Sequence, residues 1–268
     1  MEENASPPAA DAARRPPPSV VLRKLQEEDI LNALGAGWSD LKRAPVYGLT
    51  IGAIYAAGGW IAYFLAKLSG FYYFAYPLLT GFALVAPFMA AVTYEVSRRL
   101  EKGEALGWRP VLCSVKASGG RDLGWMCLVT LFAFILWVDF SFFLYLMFYG
   151  AHMPAPGRIV QETLSTEKGA VFILVGNITG AIIAFGVFAI TVVSFPMLLD
   201  RDVDFVTAMI SSVRSVKLNP WYLLAWAFTI AAFLAFSILS GLVGLIVALP
   251  LLGHASWHVY RKLVEPEA

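Results

Sequence analysis

The sequence is poor in charged residues. Asp, Glu, Lys and Arg make up 15% of its 268 residues, whereas ordinary soluble domains carry about 25%. Hydrophobic residues account for 59% and the net charge is only +1, so the chain lacks the basic surface that nucleic acid requires. This composition predicts a protein surrounded mainly by a lipid bilayer and argues against nucleic acid as a partner.

The chain also lacks the motifs of common catalytic and cofactor sites. Its two cysteines, Cys113 and Cys127, are not spaced as a redox pair or a zinc knuckle. No phosphate-binding or dinucleotide-binding glycine loop, zinc-protease motif or serine-hydrolase motif occurs. These absences disfavour an enzyme without excluding one, because membrane enzymes can lack such motifs, and no cofactor is predicted.

Long apolar runs dominate the rest of the sequence. A helix crosses the bilayer core with about 20 mostly apolar residues. The last run, from Trp221 to about His258, would rise about 57 Å as one helix, roughly twice the hydrocarbon core, so we predict a turn at Ser240-Gly241. The chain is thus predicted to be an all-α membrane helix bundle with six spans, at about 46–66, 71–94, 123–149, 170–199, 221–239 and 242–257.

The basic residues predict the orientation of these spans. Seventeen of the twenty Lys and Arg residues fall on one side of a six-span arrangement, and in membrane proteins that side is the cytoplasm. We therefore predict a bacterial inner-membrane protein with both termini in the cytoplasm. Residues 1–20 are predicted to form a disordered cytoplasmic tail, residues 21–262 the membrane domain, and residues 263–268 a short cytoplasmic tail.

The sequence indicates three copies of one unit, in which a cytoplasmic segment precedes an outward span and an inward span. Pro87, Pro196 and Pro250 occupy comparable positions in the three inward spans, and the segment before Pro45 resembles the one before Pro220. The middle copy is weaker. We predict three parallel hairpins around a pseudo-threefold axis, preceded by short amphipathic helices. The prolines would kink the spans, either to line a cavity or as inherited hinges without chemistry.

Asp139 is the sharpest candidate for a functional residue. It is the only charged residue deep within a predicted span, and Asn177 lies at a similar depth in the following span. Ionised carboxylates are costly in the membrane and usually face the bundle or a partner group. The pair is open to two interpretations, a proton relay or ligand contact, and a structural hydrogen bond between two helices.

His254 and His258 stand four residues apart near the end of the last span. This spacing places both side chains on one helix face and would suit two ligands of one metal. No third ligand is evident, and the remaining histidine, His152, is predicted on the opposite side of the membrane. Histidines at the headgroup level are therefore favoured over a metal or haem site.

Two stripes of small residues predict close helix packing. Gly48 and Gly52 form one stripe, and Gly176 and Gly180 form the other. Glycines spaced by four allow two helix backbones to approach closely in a membrane. Contacts within the chain are favoured over a homodimer face.

Two blocks of the sequence resemble a known family. Residues 194–204, which read SFPMLLDRDVD, and residues 29–52, with Gly37-Trp38, Asp40 and Pro45, are similar to a family of predicted bacterial integral membrane proteins of unknown function. The resemblance covers roughly residues 20–262. Some members are labelled automatically as cytochrome c oxidase subunits. The catalytic subunit of that oxidase needs several intramembrane histidines, which this chain lacks, so the label is not evidence of catalysis. The resemblance implies no catalytic or binding residues and is compatible with an accessory or assembly role beside a respiratory complex.

Two functions follow as hypotheses. The first is an accessory, scaffold or assembly component of a membrane complex, with a respiratory complex as one such partner. The alternative is a small-molecule or ion transporter that uses Asp139. The partners expected from the sequence are the lipid bilayer and another membrane protein complex.

Overall fold

The chain is built almost entirely of helices. The computed structural model describes residues 20–70, 75–150 and 156–266, and within these the only extended pairing is an isolated bridge between Leu22 and Val264. The predicted all-α membrane bundle is confirmed. Residues 1–19 of the predicted tail, and His152, lie outside the described residues.

Eleven α-helices are described, with one short 3-10 turn, Ala83–Val85, between the third and the fourth. They are α1 Asp29–Arg43, α2 Pro45–Leu68, α3 Ala75–Phe82, α4 Ala86–Lys102, α5 Trp108–Tyr149, α6 Pro156–Ser165, α7 Glu167–Thr191, α8 Ser194–Asp200, α9 Phe205–Leu218, α10 Pro220–Leu239 and α11 Leu245–Leu263.

Five helical segments of the described chain are long and apolar enough to cross a membrane, and they coincide with the first five predicted spans. These segments are Pro45–Leu68, Ala75–Lys102, Asp122–Tyr149, Glu167–Asp200 and Pro220–Leu239. The sixth predicted span corresponds to α11, which is not among them. Most of α11 is buried against other helices, and a helix covered by protein can carry polar residues that a lipid-facing helix cannot.

The three proline-containing segments differ in whether the helix is interrupted near the proline. A 3-10 turn separates α3 from α4, which has Pro87 in its first turn, and the α7–α8 break lies just before Pro196. Proline suits the first turn of a helix because the amide hydrogen that it lacks has no partner there. Pro250 instead lies inside the continuous helix α11, where it leaves the carbonyl of Ile246 without its helical donor.

Glycines let α1 and α2 pack directly on α11. A Cβ atom built on Gly52 would lie 2.4 Å from the carbonyl oxygen of Ile246, and one on Gly37 would lie 2.5 Å from the backbone nitrogen of Ala255. The glycine stripe of α2 thus covers the Ile246 carbonyl, which has no helical hydrogen-bond donor because residue 250 is a proline. Such close backbone approach is possible only where a side chain is absent.

The junctions before α2 and α10 share one backbone geometry. Ala44 has φ −135° and ψ 52°, and Asn219 has φ −129° and ψ 51°. A proline follows each residue and disfavours a helical conformation there. The corresponding segment of the middle copy has no such junction, because α5 runs unbroken from Trp108 to Tyr149.

Candidate functional site

Asp139 lies on an exposed face of α5, near the middle of the segment that crosses the membrane. It precedes Tyr149, the last residue of the helix, by ten positions, which corresponds to about 15 Å along the axis. Within the described part of the chain, no hydrogen bond or ion pair reaches its carboxylate. The residue that sequence analysis singled out therefore faces away from the bundle.

Asn177 makes different contacts from those expected. Its side-chain oxygen accepts a hydrogen bond of 2.8 Å from the hydroxyl of Tyr76, and its side-chain nitrogen donates to the carbonyl of Ile173 at 2.9 Å. The first bond connects α3 to α7, the second lies within α7, and no hydrogen bond joins Asn177 to Asp139 in the described structure. The two intramembrane polar residues are thus separate features.

The face of α5 around Asp139 has the spacing of a coiled-coil seam. Exposed residues alternate at intervals of four and three positions, which keeps them on one side of a slightly supercoiled helix. We call this surface the α5 seam; it consists of Leu128, Phe132, Ile135, Asp139, Phe142 and Leu146. The spacing can be read from the sequence, but only the structure shows that these residues are exposed in the described part of the chain.

Trp137 holds the opposite side of α5 against the bundle. Its indole nitrogen donates a 2.8 Å hydrogen bond to the carbonyl of Pro77. A Cβ atom on Gly81 would lie 2.4 Å from the indole ring, and one on Gly180 would lie 2.8 Å from it. Because the ring fills the space that these two glycines leave, the rotation of α5 is fixed and Asp139 points outward.

His254 and His258 belong to a buried polar cluster that joins α1, α4 and α11. Ser97 donates a 2.8 Å hydrogen bond to Asp40, and His258 Nε2 lies 2.8 Å from the same carboxylate oxygen. His254 Nδ1 lies 2.8 Å from the hydroxyl of Ser97. Since the proton of Ser97 is directed at Asp40, Nδ1 of His254 is the donor in that contact.

The described contacts of this cluster are hydrogen bonds between helices. No group of three potential metal ligands is present in the described part of the chain. Ser97 and His254 are fully buried, so a substrate has no access to either. Burial opposes ionisation of Asp40, but the hydrogen bonds from His258 and Ser97 outweigh it, so the pKa of this carboxyl lies below its ordinary value.

A network of ion pairs connects neighbouring ends of α4, α8 and α11. Glu95 is fully buried and pairs with Arg98 and Arg99, each at 2.7 Å. Arg261 on α11 joins Glu101 of α4 to Asp200 of α8. The Glu95 pairs join residues three and four positions apart on α4, a spacing that is visible in the sequence. The pairs of Arg261 could not be predicted, because Arg261 meets its partners only after folding.

A cavity of about 380 Å³ lies between the membrane-crossing helices. Residues of α3, α4, α7, α10 and α11 form its walls, and nearly all of them are apolar. Neither Asp139 nor any other charged residue is among them. The cavity and the exposed carboxylate are therefore distinct features.

A comparison with known protein families gives one match. Residues 75–200 match the sequence model of a family described as "Predicted integral membrane protein (DUF2189)". This match confirms the resemblance to a family of predicted integral membrane proteins, and it includes α3 to α8, with Asp139 and the α5 seam. Comparisons with curated proteins and with solved structures found no match.

Proposed function

Starting from the match to a family of predicted integral membrane proteins, we propose that this chain is an accessory component of a membrane complex. It binds a transmembrane helix of another protein through the α5 seam. The observation that carries the proposal is the exposed position of Asp139 at mid-span.

The energy of a lipid-facing carboxylate supports this proposal. An ionised Asp at the centre of a membrane helix costs about 2.5–3.5 kcal/mol on insertion scales, and such residues normally face a bundle interior or a partner group. Asp139 has no such group in the described part of its own chain. A carrier that used this carboxylate would need it inside the bundle, so the exposed position favours a partner over transport.

The chemistry of the seam defines the partner helix. Apolar residues surround Asp139 on both sides along the seam, which suits knob-into-hole packing with a second helix. The group opposite Asp139 should be a Lys, an Arg or another hydrogen-bond donor at mid-membrane depth. A second copy packed seam to seam would place two carboxylates together, so the partner is a different protein.

The Lys and Arg distribution supports the rest of the topology. It is consistent with α11 as a sixth span, with both termini in the cytoplasm, and with a bacterial inner membrane. In that arrangement Arg261 and the network around it lie at the cytoplasmic surface. The resemblance described above makes respiratory complexes the first class of partner to test.

We further infer that the three hairpins are related by a pseudo-threefold axis. The matching junctions at Ala44-Pro45 and Asn219-Pro220 support this relation. The contacts of the segments that precede the outward spans also support this relation. The first segment, α1, packs on α11. The α5 helix contacts α4, and α9 packs on α7 and α8. Each such segment thus lies against the inward helix of the preceding hairpin, as a cyclic arrangement requires.

Site-specific photo-crosslinking in the native membrane tests the partner. A photoreactive amino acid at Phe132 or Ile135 should crosslink to one protein, whereas the same group at Phe236, an exposed residue of α10, should not. Asp139→Asn should weaken the crosslink and Asp139→Lys should abolish it. The absorption spectrum of the purified complex then shows whether the partner carries haem.

A charge exchange provides the decisive control. Asp139→Lys should recover the crosslink when the basic residue opposite it in the partner is changed to Asp. If crosslinking at the seam equals that at Phe236, or if Asp139→Lys leaves the crosslink intact, the α5 seam is not a partner surface and the proposal fails.

A further inference from the structure

The cavity between the membrane-crossing helices is long and runs along them. On α3 and α4 it extends from Thr80 to Tyr94, fourteen positions apart, or about 21 Å at 1.5 Å per residue. On α10 it extends from Leu224 to Leu234, ten positions or about 15 Å. The cavity is therefore a slot parallel to the helices, at the depth of the hydrocarbon core.

Few polar groups line the slot. The hydroxyl of Thr191 donates to the carbonyl of Val187 at 2.7 Å, and Thr80 donates to a carbonyl of its own helix. The other hydroxyls in the lining are those of Tyr94 and Ser256. Because the polar groups are few and no charged residue lines the slot, its ligand must be uncharged and mainly apolar along this length.

Small side chains keep the slot open. Its walls include Ala181 and Ala184 on α7 and Ala227 and Ala231 on α10. Three of these four residues are exposed, and so is the neighbouring Phe228. The slot therefore opens sideways between α7 and α10, towards the surrounding lipid and not towards water.

We propose that the slot binds one hydrocarbon chain of a membrane lipid, which enters laterally between α7 and α10. A volume of about 380 Å³ is within the range of small-molecule sites, about 300–1,000 Å³. Its length, its depth in the bilayer and its uncharged walls match an extended chain lying along the helices. The chain belongs to a phospholipid or to an isoprenoid lipid, and both present the same chemistry to these walls.

Two neighbouring alanines provide the test. Ala231 lines the slot, whereas Ala232 does not, and both are exposed on α10. Ala231→Leu and Ala184→Leu should fill the slot, while Ala232→Leu adds the same side chain elsewhere on the surface. The full-length protein is purified in mild detergent from native membranes, and retained lipid is measured by native mass spectrometry and by extraction.

The expected result is about one retained lipid per chain for the wild type and for Ala232→Leu, and at least a fivefold loss for Ala231→Leu and Ala184→Leu. The mass of the extracted molecule distinguishes a phospholipid from an isoprenoid lipid. Thermal unfolding shows that the variants are folded, and a fourth variant, Ala227→Leu, replaces any that is not. Equal retention by the Ala231 and Ala232 variants, or retention of detergent alone, would overturn the proposal.

Discussion

Asp40 shows how a single buried carboxylate can fix the position of a whole helix. It lies on α1 and receives hydrogen bonds from Ser97 on α4 and His258 on α11. The Nε2 atom of His254 is buried without a hydrogen-bond partner among the described residues, and a Cβ atom on Gly48 would lie 3.5 Å from it. The cluster therefore stabilises the packing of α1 while leaving one polar atom unsatisfied.

Replacing Asp40 tests the contribution of this cluster. Asp40→Ala should lower the free energy of unfolding by about 1–3 kcal/mol, because Ser97 and His258 lose a buried partner. Asp40→Asn keeps an acceptor oxygen and should cost less. Thermal unfolding in detergent gives the ranking, and an equal loss for both variants would show that the hydrogen bonds are not the source of the effect.

The lowered pKa of Asp40 predicts a pH dependence of the same helix. A carboxyl whose pKa is lower in the folded state contributes stability above its unfolded value, about 3.9, and loses that contribution as the pH falls through the folded value. The protection of α1 amides against hydrogen exchange, measured relative to their intrinsic exchange rates, should therefore fall below about pH 3.9. The fall should be smaller in Asp40→Asn, which has no carboxylate to protonate.

At the scale of elements, α11 is the helix around which the bundle is assembled. The helices α1, α2 and α4 pack against it, and its residues Trp257 and Tyr260 are fully buried. Pro250 frees a carbonyl of α11, and Gly52 of α2 lies over it. The helix can be less apolar than the other spans because protein, and not lipid, covers most of its surface.

Two glycines of α1 offer a matched test of this packing. A Cβ atom on Gly37 would meet the backbone of Ala255 at 2.5 Å, whereas one on Gly35 would meet nothing within 4 Å. Gly37→Ala should destabilise the protein by about 1–3 kcal/mol through overpacking. Gly35→Ala should stabilise it by about 0.5–1 kcal/mol, because alanine favours the helix. Thermal unfolding measures both, and a neutral Gly37→Ala would contradict the close contact of α1 with α11.

At the scale of the whole molecule, the buried polar contacts and the exposed apolar surface lie in different parts of the bundle. The buried polar cluster and the ion pairs of Glu95 and Arg261 lie at one end of the bundle. The slot and the α5 seam lie in the membrane-crossing part. There, most residues of the apolar segments of α10 and α5 are not buried within the protein. Surface of this kind is available to lipid and to partner helices.

Reporter fusions test whether α11 completes a sixth span. Green fluorescent protein fluoresces when it is fused on the cytoplasmic side of the membrane and not when it is exported unfolded. A fusion after Ala268 should fluoresce, and one after Ser240 should not, because the proposed six-span topology places the C-terminal end of α10 on the outer side. If the fusion after Ala268 does not fluoresce, the chain has five spans and its C-terminus lies outside.

The amino-acid sequence by itself determined the class of protein and the limits of the spans. Lipid tolerates only long apolar helices, so the runs that became α2, α5, α7 and α10 could be read directly. The turn at Ser240-Gly241 was predicted correctly for the same reason, and Gly241 has the positive φ, 66°, that glycine favours.

Only the tertiary structure decided which residues meet. Asp40, Ser97 and His254 are far apart in the chain, and no local pattern indicates that α1, α4 and α11 bring them together. The direction of Asp139 was also undecided, because a helix in lipid has no water-facing side and its apolar residues surround it. The packing of Trp137 against Gly81 and Gly180 fixes the rotation of α5, and that rotation leaves Asp139 on the exposed face.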